Sequence, residues 1–123
     1  MSVVGISIAR RNPRGAGIVE EACRELREHL SLDDCGKEVS FRDEWVGKGY
    51  EKAGPQVWAT IRLAATLDGL VLDPTYTGKA FSALTDMINS GEITKGTRVL
   101  FWHTGGLINL LAADPAGASL NRQ

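Results

Sequence analysis

The sequence predicts an α/β fold: a mostly parallel sheet flanked by helices in three layers. Short β-branched or apolar runs at Val3–Ile8, Leu70–Leu72 and Thr97–His103 alternate with longer stretches of helical period. Gly and Pro punctuate the boundaries between them. Strands that alternate with helices imply right-handed crossovers and therefore parallel pairing.

Val3–Ile8, "VVGISI", reads as a buried strand, and "ARRNPRG" follows as a loop broken by Pro13 and Gly15. From Ile18 to Leu30, the residues Ile18, Val19, Ala22, Cys23, Leu26 and Leu30 share one helical face. Glu20 and Glu21 are expected in its first turn, with Glu20 and Arg24 as an i,i+4 pair. Val39 and Phe41 alternate with polar neighbours, which predicts a short strand near Glu38–Arg42. The surrounding polar, glycine-punctuated stretch reads as a long loop, and such loops are often functional.

Pro55 opens the next helix at its first position, where the missing N–H is harmless. Its apolar stripe is Val57, Trp58, Ile61, Ala64 and Ala65, and Gly69 ends it. Leu70–Leu72 is expected to be a short buried strand. A helix from about Thr77 to Ser90 turns Ala80, Phe81, Leu84, Met87 and Ile88 inward, with Thr75 or Thr77 as its cap. Gly91 follows as a natural stop. Thr97–His103 is a strand that ends at Thr104-Gly105-Gly106, and residues 113–123 read as a frayed tail after an α/β portion spanning 1–112.

The 123 residues carry a formal net charge of −1, so no nucleic-acid partner is implied. Arg10, Arg11 and Arg14 cluster without interleaved aromatic residues and read as a solvated loop. Cys23 and Cys35 form neither a CxxC pair nor a disulfide framework; Cys23 fits a helix's apolar face and Cys35 a polar turn. His29 and His103 are far apart, so no metal site is expected. No run of 18 apolar residues suggests a membrane span. The start reads as a strand, not a signal peptide, which makes the cytoplasm the expected location.

In open parallel sheets, ligands bind beyond the carboxyl ends of the strands. Asp73–Thr77 and Thr104–Gly106 leave two such ends and are expected on the same rim. Gly78-Lys79 resembles the end of a P-loop, but Asp73 and Ala80 stand where that motif needs Gly and Ser or Thr. On residue types alone, "LDPTYTGKA" reads first as a capped strand-to-helix turn. Lys79 then reads as a solvated surface charge and His103 as a hydrogen-bonded strand-end residue.

"LDPTYTGKAFSAL" followed by "GTRVLFWHTGG" resembles the C-terminal part of the D-cysteine desulfhydrase and 1-aminocyclopropane-1-carboxylate deaminase family. "VVGISIAR" and "VGKGY" resemble the same family in the same order. The resemblance runs from about Val3 to Gly106. It implies part of a pyridoxal-phosphate-binding domain of the tryptophan-synthase β-like type. Tyr76 resembles the tyrosine that lies against the cofactor's pyridine ring, Thr104 the hydroxyl residue at its ring nitrogen, and Tyr50 an active-site tyrosine near the substrate. Thr77 lies where deaminases of the family typically carry Glu. Tyr50 and Tyr76 are thus the implied catalytic residues, and Tyr76, Thr77 and Thr104 the implied cofactor contacts.

A carboxylate beside the ring nitrogen strengthens pyridoxal phosphate as an electron sink, and a neutral hydroxyl weakens it. Thr77 with Thr104 therefore implies the desulfhydrase branch, which converts D-cysteine to pyruvate, sulfide and ammonia. The alternatives are the deaminase branch and a non-catalytic α/β remnant that binds a ligand or partner. The family's Schiff-base lysine and phosphate loop precede the "VVGIS" strand and have no counterpart in this chain. The resemblance thus implies a truncated member, inactive alone, that forms a homo-oligomer or needs the missing N-terminal portion. Unpartnered sheet edges would leave it self-associating or marginally stable.

Overall fold

The computed structural model describes residues 2–34 and 39–113. Two strands, β1 (Val3–Ile6) and β2 (Val39–Arg42), run parallel, with Val3 opposite Val39 and Ile6 opposite Arg42. The chain crosses between them through α1 (Arg14–Leu30), the kind of connection that parallel pairing requires. The expected strand around Val39 and Phe41 is therefore present; Cys35 and Glu38 lie outside the described residues.

Helix α1 starts at Arg14, earlier than its apolar period suggests, so Glu20 and Glu21 fall beyond the first turn. Arg24 pairs with Glu21 at 2.5 Å and Glu28 at 2.7 Å, not with Glu20. These side chains are half exposed, and such pairs contribute little. Gly15 seats the helix on β2: a Cβ there would overlap the Phe41 ring. Most of the expected core face stays uncovered, with Ile18, Leu26 and Leu30 exposed and Cys23 only half-buried. β1 also differs from the buried strand expected, since Val3 and Val4 are exposed.

A 3₁₀ turn at Glu44–Val46 follows β2. Helix α2 (Pro55–Asp68) has Pro55 at its first turn, buries Ile61 and Ala64, and leaves Ala65 exposed. It ends at Gly69, whose φ of 63° is the left-handed conformation that lets the chain reverse. The Gly69 and Leu70 N–H groups then bond back to the Ala65 and Ala64 carbonyls. Helix α3 (Thr77–Asn89) lies along α2 and touches β1. It buries Ala83 and Met87, while Ile88 faces outward. Ile61, Ala64 and Leu72 form the core, and Phe81 and Phe101 pack against it with their rings edge-to-face to each other, centroids 5.1 Å apart. Helix α4 (Leu107–Ala112) is short and mostly exposed.

Two expected strands are not realised. Leu70–Leu72 and Thr97–His103 join no ladder among the described residues. Leu72 is fully buried, as its apolar character demands, but the backbone groups around it bond to partners outside any strand. Leu70 N–H goes to the end of α2, and the Val71 carbonyl meets the His103 imidazole. Between β1 and residues 97–104 runs an open groove of about 1270 Å³, with Ala80, Leu84 and Met87 of α3 among its lining. Among the described residues the parallel sheet is accordingly two strands wide, with α1 packed on β2 and α3 on β1.

Candidate functional site

The connection from Leu72 to α3 is built around Asp73, which is 1% exposed. Its carboxylate accepts the N–H groups of Thr75, Tyr76 and Thr77 at 2.8, 2.9 and 2.8 Å, and the Thr77 hydroxyl at 2.7 Å. The Asp73 N–H donates in return to the Thr77 oxygen at 2.9 Å. Tyr76 stands at the N-cap of α3 without a side-chain cap bond, and Asp73, three residues earlier, accepts the first helical N–H in place of the Thr75 or Thr77 cap expected. A carboxylate can accept several converging donors where a hydroxyl accepts fewer. Burial alone would raise the Asp73 pKa, but these donors outweigh it and hold the group below its ordinary value.

This knot presents Tyr76 outward and turns Thr77 inward. Thr77 is buried, with its hydroxyl engaged by Asp73 as both donor and acceptor. Tyr76 borders a cavity of about 680 Å³ with Thr104, Gly105 and Gly106. The second rim segment is fixed by His103. Its Nε2 bonds the Val71 carbonyl at 2.9 Å, and its Nδ1 accepts the Gly105 N–H at 3.1 Å. That pattern assigns the ring proton to Nε2 and ties the ends of both segments together. It agrees with reading His103 as a hydrogen-bonded end residue.

Tyr50 approaches from the loop after the 3₁₀ turn. Its hydroxyl hydrogen-bonds the Tyr76 hydroxyl, and the rings meet edge-on with centroids 6.0 Å apart. The bond to Tyr76 is the first cause that raises the Tyr50 pKa, followed by burial and the negative charges of Glu51 and Asp73. Tyr50 thus touches Tyr76, Tyr76 shares the smaller cavity with Thr104, and Thr77 lines the larger groove of about 1270 Å³ together with both Tyr76 and Thr104.

Lys79 overturns the surface-charge expectation. It is 1% exposed, and its ammonium donates to the carbonyls of Ile8, Val46 and Gly49 at 3.2, 3.1 and 2.7 Å. Burial pushes its pKa below the ordinary lysine value. The signal was present in the sequence: positions 79, 83 and 87 recur every four residues, and Ala83 and Met87 are buried. Asp73 carried a weaker signal, because Asp before Pro marks a turn without saying which groups it will accept.

The cavity thus offers an aromatic side chain, a neutral hydroxyl and glycine backbone, with no charged side chain in its lining. Among the described residues, no group of His, Cys, Asp and Glu could hold a metal ion, and no helix is long and apolar enough to cross a membrane.

Fold and rim together define a portion of an α/β domain with a cavity lined by Tyr76 and Thr104–Gly106. The structure matches the crystal structure of an ACC deaminase homologue with a TM-score of 0.76 and 33% identity, over 86% of this chain and 31% of that one. A Pyrococcus furiosus protein provisionally named 1-aminocyclopropane-1-carboxylate deaminase is 35% identical over 116 residues, covering 85% of this chain and 34% of its own. The D-cysteine desulfhydrase of Yersinia pestis is 30% identical over 113 residues, covering 92% and 34%. No family-wide sequence model matches. The chain belongs to the D-cysteine desulfhydrase and 1-aminocyclopropane-1-carboxylate deaminase family as a C-terminal portion, and spans about a third of the length of these relatives.

Proposed function

We propose that this chain forms the C-terminal wall of a pyridoxal-phosphate site in a lyase of the D-cysteine desulfhydrase type. The observation that carries this reading is the shared cavity of Tyr76 and Thr104, with the Tyr50 hydroxyl on that of Tyr76. These residues fit the group: an aromatic ring for stacking, a hydroxyl for a ring nitrogen, and two glycines that let a flat molecule approach. When bound, the cofactor supplies an electron sink.

In this reading Tyr76 stacks on the pyridine ring and Thr104 hydrogen-bonds its nitrogen. Thr77, its hydroxyl held by Asp73 and its side chain on the groove that Tyr76 and Thr104 also line, is the third cofactor contact. The tyrosine pair faces the amino-acid substrate and holds a proton between its two oxygens. Thr104 is a neutral partner and weakens the sink. That suits departure of thiolate from D-cysteine better than opening of a cyclopropane ring, and favours the desulfhydrase over the deaminase.

Among the described residues no lysine lines the cavity, and Lys79 is held by three carbonyls. In this reading the family's N-terminal portion supplies the Schiff-base lysine. The chain alone is inactive, and works in the cytoplasm as a homo-oligomer or together with the remaining portion of the family's domain. The test is to mix the chain with the N-terminal two-thirds of a relative, add pyridoxal phosphate, and measure sulfide from D-cysteine. Sulfide is expected from the mixture and from neither part alone. Tyr76→Ala and Thr104→Val are each expected to weaken cofactor binding at least tenfold. Cofactor affinity unchanged by both substitutions would refute the assignment, and ammonia from the cyclopropane amino acid without sulfide from D-cysteine would select the deaminase.

A further inference from the structure

Lys79 combines three features. It is almost fully buried, it makes no salt bridge among the described residues, and its ammonium is held by backbone carbonyls alone. A buried ammonium is costly to desolvate, and an apolar side chain would fill such a site more simply. The three carbonyls come from three separate segments: Ile8 just after β1, Val46 at the end of the 3₁₀ turn, and Gly49 in the loop that follows. The shortest bond, 2.7 Å, goes to Gly49, the residue before Tyr50.

Lys79 lies in the first turn of α3, three residues after Tyr76. A closed ring results: α3 holds Tyr76, Lys79 holds Gly49, and Tyr50 returns to Tyr76 through the paired hydroxyls. We propose that Lys79 is a positioning residue whose ammonium fixes the 46–50 loop so that the Tyr50 hydroxyl meets that of Tyr76. Among the described residues, no other side-chain hydrogen bond joins α3 to the Gly49 carbonyl. The tyrosine pair's role at a ligand comes from the proposed function, but the positioning itself can be tested without any ligand.

The protein has two tyrosines, Tyr50 and Tyr76, so its phenol titration reads this pair alone. The charged groups that bear on Tyr50 are Glu51 and Asp73. In the intact chain, the ultraviolet tyrosinate signal is expected to include an upper step, from Tyr50, above the ordinary phenol range. Lys79→Ala is expected to release the loop, separate the hydroxyls and bring the upper step down toward the ordinary value of about 10. Ethylammonium should restore it, and tetramethylammonium at the same ionic strength should not. A folded Lys79→Ala chain with that upper step unchanged would overturn the proposal. Should alanine leave the chain unfolded, ammonium hydrogen exchange in the ¹⁵N-labelled intact chain decides. Exchange at Lys79 far slower than at Lys48 and Lys95, with a nuclear Overhauser contact from its ε-methylene to the Tyr50 amide, supports it. Exchange as fast as theirs, with no such contact, refutes it. Because no cofactor enters, failure here leaves the cofactor assignment standing, and failure of that assignment leaves this one standing.

Discussion

Gly106 stands so close to Asp73 that a methyl group on its Cα would overlap the Asp73 carboxylate. The two rim segments therefore touch through a hydrogen on one side and a fully engaged carboxylate on the other. Gly106 also has a φ of 108°, which L side chains rarely adopt.

Gly106→Ala combines that overlap with backbone strain. Gly105 has a similar φ of 101° but open space where its Cβ would project. Gly105→Ala is expected to cost the strain alone, about 1–3 kcal/mol. Gly106→Ala should cost more, and it should also move Thr104 away from Tyr76. Urea unfolding of both variants checks the order; equal losses would mean that the contact with Asp73 does not constrain the rim.

Asp73 makes stability depend on acid. Its folded-state pKa is lowered, so its contribution is present above the ordinary aspartate range and is lost as pH falls through the folded value. Asp73→Asn removes the charge and turns an amide toward N–H donors. The loss at pH 7 is expected to be about 1–3 kcal/mol. The gap between the two proteins should narrow below about pH 4, where the unfolded carboxyl is already protonated. Parallel stability curves with a constant gap would show that Asp73 contributes by shape and not by charge.

This knot also marks the boundary of what the sequence made legible. Helix α2, the strand at Val39–Arg42 and the stop at Gly69 follow from local signals, namely period, proline and glycine, and all three are present. Leu70–Leu72 and Thr97–His103 join no ladder among the described residues, because apolar runs specify burial whereas a strand also needs a neighbour to exchange backbone bonds. Here the backbone at 70–73 finds Ala64, His103 and Thr77 instead. Tyr50, Tyr76 and Thr104 could be singled out by resemblance. The spacing of 79, 83 and 87 marks Lys79 as buried, but does not show that the distant carbonyls of Ile8, Val46 and Gly49 hold it; Asp73 stands in a local turn whose type does not say which of the nearby N–H groups it accepts.

The loop that carries Tyr50 has a second tether farther along α3. Asp86 accepts the Trp45 indole N–H at 2.8 Å and the Gln56 amide at 2.9 and 3.0 Å, which joins the 3₁₀ turn and the start of α2 to α3. Arg42 lies over the Trp45 ring at 5.3 Å and adds a cation–π contact. Asp86→Ala leaves a half-buried indole N–H without this acceptor and is expected to cost about 1–2 kcal/mol. Trp45 fluorescence, isolated by replacing Trp58 and Trp102 with Phe, should shift as the ring loosens. An unchanged spectrum and an unchanged melting temperature would show that the tether is dispensable.

The last expectation concerns the uncovered apolar faces. Leu100, Trp102, Ile108 and Leu111 are each more than three-quarters exposed, and the side of β1 away from β2 carries no partner among the described residues. An open strand edge invites pairing, and apolar side chains of this size each gain roughly 1.5–3 kcal/mol when covered. We therefore expect the chain to associate with itself as concentration rises, through the groove between β1 and residues 97–104. Leu100→Glu with Trp102→Lys should shift it toward monomer in sedimentation velocity without changing the tyrosine titration, because neither residue touches the Tyr50–Tyr76 pair. Adding the N-terminal portion of a relative should compete with that association if both occupy the same groove. A chain that sediments as a single monomeric species at high concentration, with its apolar residues still exposed, would show that the groove is not a pairing surface.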